Sequence, residues 1–373
     1  MALIFITIIF LLLYTGLIAF YYKSWLKLTN YSATQSGEKT FISIVVAARN
    51  EEAHIPQLLT SLQNQLYPAA YFEIIVVDDF STDSTAEKVK SFNLQNATLI
   101  HPDGDAASSS KKKAIETGVR FAMGELMVAT DADCLHQPQW LSTINLFYKK
   151  NEAEFIAAPV KLAHDNSLLQ IFQSLDFLVL QGITGASVGA GFHSMCNGAN
   201  LAYIKKAFEE VNAFAGIDKI ASGDDMLLMH KIKKQHPKKV FYLKSKEAIV
   251  VAEPMKNIAA FMMQRKRWAS KTLVYDDWRI IAVLFFVYLF NLLFFILIAA
   301  SFFNGKYLPV PIAFIILKAC IEWRFVLSVA HFFEESKLMK WFLLFQPLHI
   351  LYTVLIGPIS QMGKYEWKGR RMK

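Results

Sequence analysis

The chain is apolar at both ends and alternating in between, and this arrangement limits its fold more than any other feature. Residues Ala2 to Tyr22 are almost wholly apolar, close to the roughly 20 residues a helix needs to cross a bilayer. No basic residue precedes the stretch and no small-residue cleavage site ends it, so residues 1–22 read as a retained transmembrane helix, not a signal peptide. Lys23 and Lys27 follow directly, which by the positive-inside tendency puts the N-terminus outside and the next residues in the cytoplasm. Residues 23–40 read as a linker. The C-terminal region 279–363 returns to membrane character in three segments, Ile280–Phe303, Tyr307–Phe333 and Trp341–Met362. Three crossings would leave the basic tail 364–373 outside, against the same tendency, so the side of the tail stays open. Lys318 and Glu322, four apart in the middle segment, share a helix face and can pair. Together with Arg324 they mark either a functional site or a self-neutralising seam.

A net charge of +8 favours an anionic partner surface, and with 54% hydrophobic residues membrane lipid or a phosphorylated substrate fits better than nucleic acid. Cys134, Cys196 and Cys320 form no CxxC pair and no disulfide framework, which suits a reducing compartment.

Between residues 41 and 256 the pattern is that of an α/β domain. Strand-like runs at Phe41–Ala48, Glu73–Asp79 and Glu125–Thr130 alternate with helix-period stretches at Glu51–Leu66, Thr82–Phe92 and Lys111–Met123. A doubly wound, Rossmann-like sheet follows, with ligands at the carboxyl ends of its strands. Residues 257–278, mixing apolar and basic side chains, read as a helix lying in the membrane interface.

The strand ends carry acids. After the first strand, Ala47-Ala48-Arg49-Asn50-Glu51-Glu52 lacks the glycine fingerprint of a dinucleotide site. The second ends in Asp78-Asp79-Phe80-Ser81-Thr82. Ser81 or Thr82 alone could cap the next helix, so two adjacent carboxylates point to a ligand rich in hydrogen-bond donors, such as a nucleobase and ribose. The third is followed by Asp131-Ala132-Asp133, whose carboxylates project to one side of extended backbone. They repel unless a cation joins them, and Mg²⁺ or Mn²⁺ takes one or two carboxylates plus substrate phosphates. Lys111-Lys112-Lys113 opens a helix at the end where cations are unfavourable, which points to a nearby anion. In Ser222-Gly223-Asp224-Asp225 the acids suit a first helical turn, and one of them is also a candidate base for deprotonating a hydroxyl. Gln264-Arg265-Lys266-Arg267-Trp268 suits a membrane interface. It also offers Arg267 to a leaving diphosphate and Trp268 to an acceptor.

Taken in order, these five motifs resemble the family-two glycosyltransferases, an inverting group with a GT-A catalytic domain. The last resembles the QxxRW signature of membrane-integral members, among them cellulose, chitin and hyaluronan synthases and ceramide glucosyltransferase. The resemblance implies that Glu51, Asp79 and Asp78 contact the nucleoside. Lys111 would take the place of the family's glycine-lysine element, with Ser110 where glycine is usual. Asp131 would face the ribose and donor sugar, and Asp133, with Asp131, would bind Mg²⁺ or Mn²⁺. Asp225 would be the general base, beside Asp224 in place of the more usual Glu. Gln264, Arg267 and Trp268 would close over diphosphate and acceptor. Gly182–Asn200 would form an acceptor-side loop ending in Gly198-Ala199-Asn200. The implied protein is a multi-pass membrane enzyme with a cytoplasmic catalytic domain. It would take a nucleotide sugar, commonly uridine-linked, and a lipid or lipid-linked acceptor. Polysaccharide synthesis is the alternative, for which one plus three membrane segments are few unless a partner membrane subunit contributes. A non-catalytic scaffold binding nucleotide sugar or glycan is the alternative from another class.

Overall fold

Runs of branched residues set the central sheet. Ile42, Ile44, Val45 and Val46 in β1 (Ile42–Ala48) and Ile74, Ile75, Val76 and Val77 in β2 (Phe72–Asp78) favour extended backbone. All eight are buried, as central parallel strands covered by helices must be. The computed structural model describes residues 2–32, 37–105, 109–165, 167–193, 195–218, 220, 223–361, 365–367 and 370–372. These fall into two units. An α/β unit comprises Thr29–Ala163, Ser194–Glu253 and Glu366–Lys373, and a helical unit comprises Met1–Leu28, His164–His193 and Pro254–Tyr365.

In the α/β unit, β3 (Ala97–Ile100), β4 (Leu126–Asp131), β6 (Phe155–Ala157), β8 (Leu201–Ile204) and β9 (Val240–Tyr242) join β1 and β2 in one sheet of order β3-β2-β1-β4-β8-β6-β9. Strands β1 to β4 are parallel, while β8 runs antiparallel to both β4 and β6. The expected doubly wound sheet is therefore mixed. A small second sheet joins β5 (Cys134–Leu135), β10 (Val250–Ala252) and β7 (Val160–Leu162). The helices of this unit are α2 (Ile55–Gln63), α3 (Thr85–Ser91), α4 (Lys111–Phe121), α5 (Trp140–Asn151), α7 (Lys205–Glu210) and α8 (Asp224–Gln235). Of the basic tail, Tyr365–Trp367 pairs with Arg370–Met372. Lys364, Lys368, Gly369 and Lys373 lie outside the described residues, as does Met362.

The helical unit consists of α1 (Ala2–Lys27), α6 (Leu168–Gly189), α9 (Ile258–Ala269), α10 (Trp278–Phe303), α11 (Pro309–Phe332) and α12 (Phe342–Gln361), with short 3-10 turns. Helix α1 runs past Tyr22 into the expected linker because Trp25, 1% exposed, packs edge-on against Phe332. Basic Lys27 also suits its C-terminal end. The expected interfacial helix 257–278 stops at Ala269. Trp278 instead opens α10, whose first turn is capped by the Asp277 carboxylate accepting from the Arg279 N–H at 3.1 Å.

Among the described residues, four helical segments are long and apolar enough to cross a membrane: Ala2–Lys27, Leu168–Gly189, Trp278–Phe303 and Ser336–Gln361. The second takes in Gly182–Gly189, the first part of the stretch expected to form a loop. Gly182, Gly185, Ala186 and Gly189 lie on a helix, and their small size lets it approach its neighbours closely. A Cβ at Gly182 would strike Val329 and Phe325 of α11. Helix α6 lies in the chain between β6 and β8, which pair in one sheet. Its apolar composition serves burial among α1, α11 and α12. In α11 the expected pair forms, with Lys318 Nζ 2.7 Å from Glu322 Oε1. Gln346 bonds to both, at 2.6 Å to Lys318 and 2.8 Å to Glu322, and the Tyr14 hydroxyl donates to Glu322. A buried charge pair is thus shared by α1, α11 and α12, with each charge hydrogen-bonded.

Asn200 was expected to face an acceptor, and its position contradicts this. It is fully buried, its Oδ1 accepting from Trp140 Nε1 at 3.0 Å and its Nδ2 donating to the carbonyls of Pro159 and Ala248 at 2.8 Å each. The side chain is a strut joining α5 to the segments flanking β7 and β10, with no atom left for a ligand. Replacing Asn200 by Ala removes the partner of the Trp140 N–H and of the Ala248 carbonyl, and leaves the Pro159 carbonyl with the Val250 N–H alone. The variant should lose about 2–4 kcal/mol of stability, read as a lower melting temperature of the full-length protein.

Candidate active site

The carboxyl ends of β1, β2 and β4 bring three loops to one edge of the sheet. Register pairs Ala48 with Asp78 and Ala47 with Asp131, so the acids of β2 and β4 flank the end of β1. The loops after β1 and β2 are laced together. Arg49 donates to the carbonyls of Asp79 and Phe80 at 2.6 and 2.9 Å, the Asn50 N–H donates to Ser81 Oγ, and the Thr82 N–H donates to Asn50 Oδ1. Asn50 and Phe80 hold φ of 53° and 56°, a left-handed conformation that asparagine tolerates and that the lacing maintains at the bulkier Phe80. Glu51 is buried with its Oε2 2.9 Å from His54 Nδ1. Asp78 is engaged by the protein at both oxygens, by the Ser81 N–H at 3.3 Å and by His101 Nδ1 at 3.3 Å. It shapes the turn, which leaves Asp79 and Glu51 as the better donor-facing candidates.

A continuous polar network runs from this edge to α8. Ser109 donates to the buried Asp79 carboxylate. Ser110 caps α4 by accepting from the Lys113 N–H at 3.3 Å. Lys111 then reaches Asp131 Oδ1 at 2.6 Å and Asp224 Oδ2 at 3.2 Å. The anion expected near this lysine run is thus supplied by the protein's own acids. Burial works against the Lys111 ammonium, but the negative field of Asp131, Asp224 and Asp225 outweighs it and raises its pKa, so the charge is permanent. Lys112 instead donates to the carbonyls of Ile217 and Ile220 at 2.7 and 2.6 Å, fixing the segment that leads into α8.

Gly223, at φ 83°, precedes α8 in the left-handed conformation that glycine adopts without strain, and it swings Asp224 and Asp225 into the first helical turn. Ser222 lies outside the described residues. The two acids have different surroundings. Asp224 is buried against Lys111. Asp225 is half-buried, its Oδ2 accepting from the Gly198 N–H at 3.0 Å and its Oδ1 from the Met226 N–H at 2.7 Å. Gly198 is close-packed here, since a Cβ would sit 3.1 Å from Lys111 Nζ and 3.5 Å from Asp224 Oδ2. Its amide orients Asp225.

Asp131 and Asp133 are half-buried at the end of β4. Among the described residues no group of three His, Cys, Asp or Glu side chains is preformed to hold a metal. The donors near this edge are hard carboxylate oxygens. Burial, then the fields of Asp133 and Asp131, push the Cys134 thiol well up, so it stays protonated, and burial lowers His136 to about 3 with its ring nitrogens turned to Thr130 and Ser61. Such a set fits a divalent ion of the Mg²⁺ or Mn²⁺ type completed by substrate phosphates and does not fit a soft metal.

Gln264, Arg267 and Trp268 lie half-buried on α9 in the helical unit. Sequence reasoning missed Arg49, Ser109 and His101 as site-building residues. Ser109 had a signal, the serine run just before a helix start. His101 had none, because its proximity to Asp78 arises only from β2–β3 pairing.

Residues 43–211 match the family described as "Glycosyl transferase family 2". Asp224, Asp225 and Gln264–Trp268 lie beyond that stretch. The chain is 33% identical over 108 residues to the beta-monoglucosyldiacylglycerol synthase of Nostoc sp., covering 28% of this chain and 22% of that protein. It is 28% identical over 141 residues to the undecaprenyl-phosphate 4-deoxy-4-formamido-L-arabinose transferase of Shewanella sediminis, covering 36% and 40%. The chain thus spans less than half the length of these curated relatives. Among solved structures, the mannosyltransferase PcManGT from Pyrobaculum calidifontis, in complex with GDP-Man and Mn²⁺, superposes with a TM-score of 0.60 at 18% identity, over 97% of this chain and 98% of that one. That likeness extends the shared fold over nearly the whole chain. The sheet edge formed by β1, β2 and β4 therefore lies in the stretch that matches a family-two glycosyltransferase model, within a chain whose fold is like that of the mannosyltransferase.

Proposed function

We propose that the chain is an inverting glycosyltransferase. It moves a sugar from a nucleotide-diphosphate donor to a lipid or lipid-linked glycan acceptor at the cytoplasmic face of a membrane. The observation that carries this reading is the Lys111 bridge, which ties Asp131, inside the stretch that matches the family-two model, to Asp224 beside Asp225. Asp79 and Glu51 contact the nucleoside. Asp133, with Asp131, holds Mg²⁺ or Mn²⁺, which when bound supplies positive charge to the leaving diphosphate. The presence of GDP-Man and Mn²⁺ in the mannosyltransferase of similar fold supports this cofactor and donor class.

Asp225 is the general base. Two backbone N–H groups hold its carboxylate in one orientation, and its partial exposure leaves it accessible to a substrate hydroxyl. It takes the acceptor proton as the acceptor oxygen bonds to the anomeric carbon and the bond from that carbon to the diphosphate oxygen breaks on the opposite face. The nucleoside diphosphate leaves with the electron pair, and the sugar is inverted. Asp224, paired with Lys111, keeps the cluster in register and takes no proton. A lipid acceptor is supported by apolar helices long enough to cross a bilayer. The likeness to a beta-monoglucosyldiacylglycerol synthase and to an undecaprenyl-phosphate 4-deoxy-4-formamido-L-arabinose transferase supports it too.

Two measurements test this. Asp225→Asn should lower turnover by about 10²–10⁴-fold while leaving donor affinity unchanged, as expected for a lost base; near-normal turnover contradicts the assignment. Membranes holding the protein, incubated in Mn²⁺ with labelled UDP-glucose, UDP-N-acetylglucosamine or GDP-mannose, should yield a discrete lipid-soluble product. A size ladder would indicate polymer synthesis, and no transfer or donor hydrolysis would indicate a scaffold.

A further inference from the structure

The helical unit contains a buried ion pair outside the acidic network. Arg265 of α9 lies with Nη2 2.6 Å from Asp176 Oδ2 of α6, with both side chains almost completely buried. The other Asp176 oxygen accepts from the Tyr352 hydroxyl at 2.5 Å and lies 3.1 Å from His349 Nδ1, both on α12. None of the Arg265 nitrogens forms an aligned hydrogen bond, so charge and the flanking rings hold the guanidinium. It lies 4.8 Å from the Phe261 ring and 4.4 Å from the Trp268 ring, both on its own helix at helical spacing. Phe172 and Phe177 of α6 pack against Phe261 and Trp268 in turn, at 5.8 and 6.1 Å.

A buried ion pair is poor value for stability alone, because well-packed apolar residues of similar volume usually serve as well. Its distinctive property is direction: it fixes the rotation of α9 about its axis. With Arg265 turned inward, Gln264, Arg267 and Trp268, at positions i, i+3 and i+4, form the half-buried face alongside. Trp268 belongs to both faces, stacked on the guanidinium yet partly exposed.

We propose that Arg265 is a positioning residue, whose ion pair with Asp176, braced by His349 and Tyr352, locks α9 so that Trp268 and its neighbours are presented for sugar transfer. The effect on transfer rests on the glycosyltransferase reading; the effect on Trp268 does not. The test uses the full chain in lipid nanodiscs as wild type and as the double variant Asp176→Leu/Arg265→Met, each with and without Trp268→Phe, so that Trp268 emission is obtained by difference. The double variant should fold, since it replaces a charge pair by an apolar one. Acrylamide quenching of its Trp268 component should nevertheless rise by about twofold or more as the guanidinium stack is lost. Transfer from whichever of labelled UDP-glucose or GDP-mannose the wild type turns over should fall by about ten- to a hundredfold. Unchanged quenching in the folded double variant overturns the proposal, and so does raised quenching with wild-type transfer. If the double variant does not fold, Arg265→Lys, which keeps the charge but not the flat guanidinium, is read for the same quenching and transfer. A wild type that transfers no sugar refutes the preceding reading and leaves the quenching to decide this one.

Discussion

One ammonium group organises the acidic edge of the sheet. Lys111 lies between Asp131, at the end of β4, and Asp224, at the start of α8, and its charge offsets the repulsion that would otherwise separate them. Everything near it depends on that bridge. Ser109, two residues earlier, is brought to Asp79, and a Cβ at Gly198 would sit 3.1 Å from Lys111 Nζ, tighter than an ordinary contact. Asp225, next to the bridged Asp224, is thereby set where the Gly198 amide can orient it. These charges are paired without any ligand, the kind of preorganisation that the proposed transfer would use.

The helical unit deals with charge in a different way. Two of its buried polar sets, Lys318–Glu322–Gln346–Tyr14 and Arg265–Asp176–His349–Tyr352, are each shared by three helices. In an apolar bundle, where one greasy contact resembles another, such sets select one register among many of similar packing energy. Small residues along α6 add close approach, and the aromatic rings around Phe172 and Phe290 fill the remaining space.

The sequence disclosed what local pattern governs. Strands β1, β2 and β4 stood out because each is a short run of branched apolar residues ending in acids, and the acids at those ends do converge. The Lys318–Glu322 pair was visible from helical spacing alone. Features that depend on distant partners were hidden. The resemblance implied an acceptor-side loop over Gly182–Asn200, but Gly182–Gly189 close α6, where small residues allow tight packing against α11. It also implied that Asn200 lies on the acceptor side, and only the fold shows Trp140, Pro159 and Ala248 engaging its amide. Strand β8 changed the sheet from parallel to mixed, which no local feature announces.

The central claim is that the carboxylates gathered around Lys111 form one metal-assisted site for a nucleoside diphosphate. Calorimetric titration of UDP and GDP into the full-length protein in nanodiscs, in Mn²⁺ and then in EDTA, examines that claim without requiring an acceptor. The account predicts binding of at least one of the two in Mn²⁺, abolished both by EDTA and by Asp133→Asn. Nucleotide binding that survives chelation and the substitution alike would contradict it.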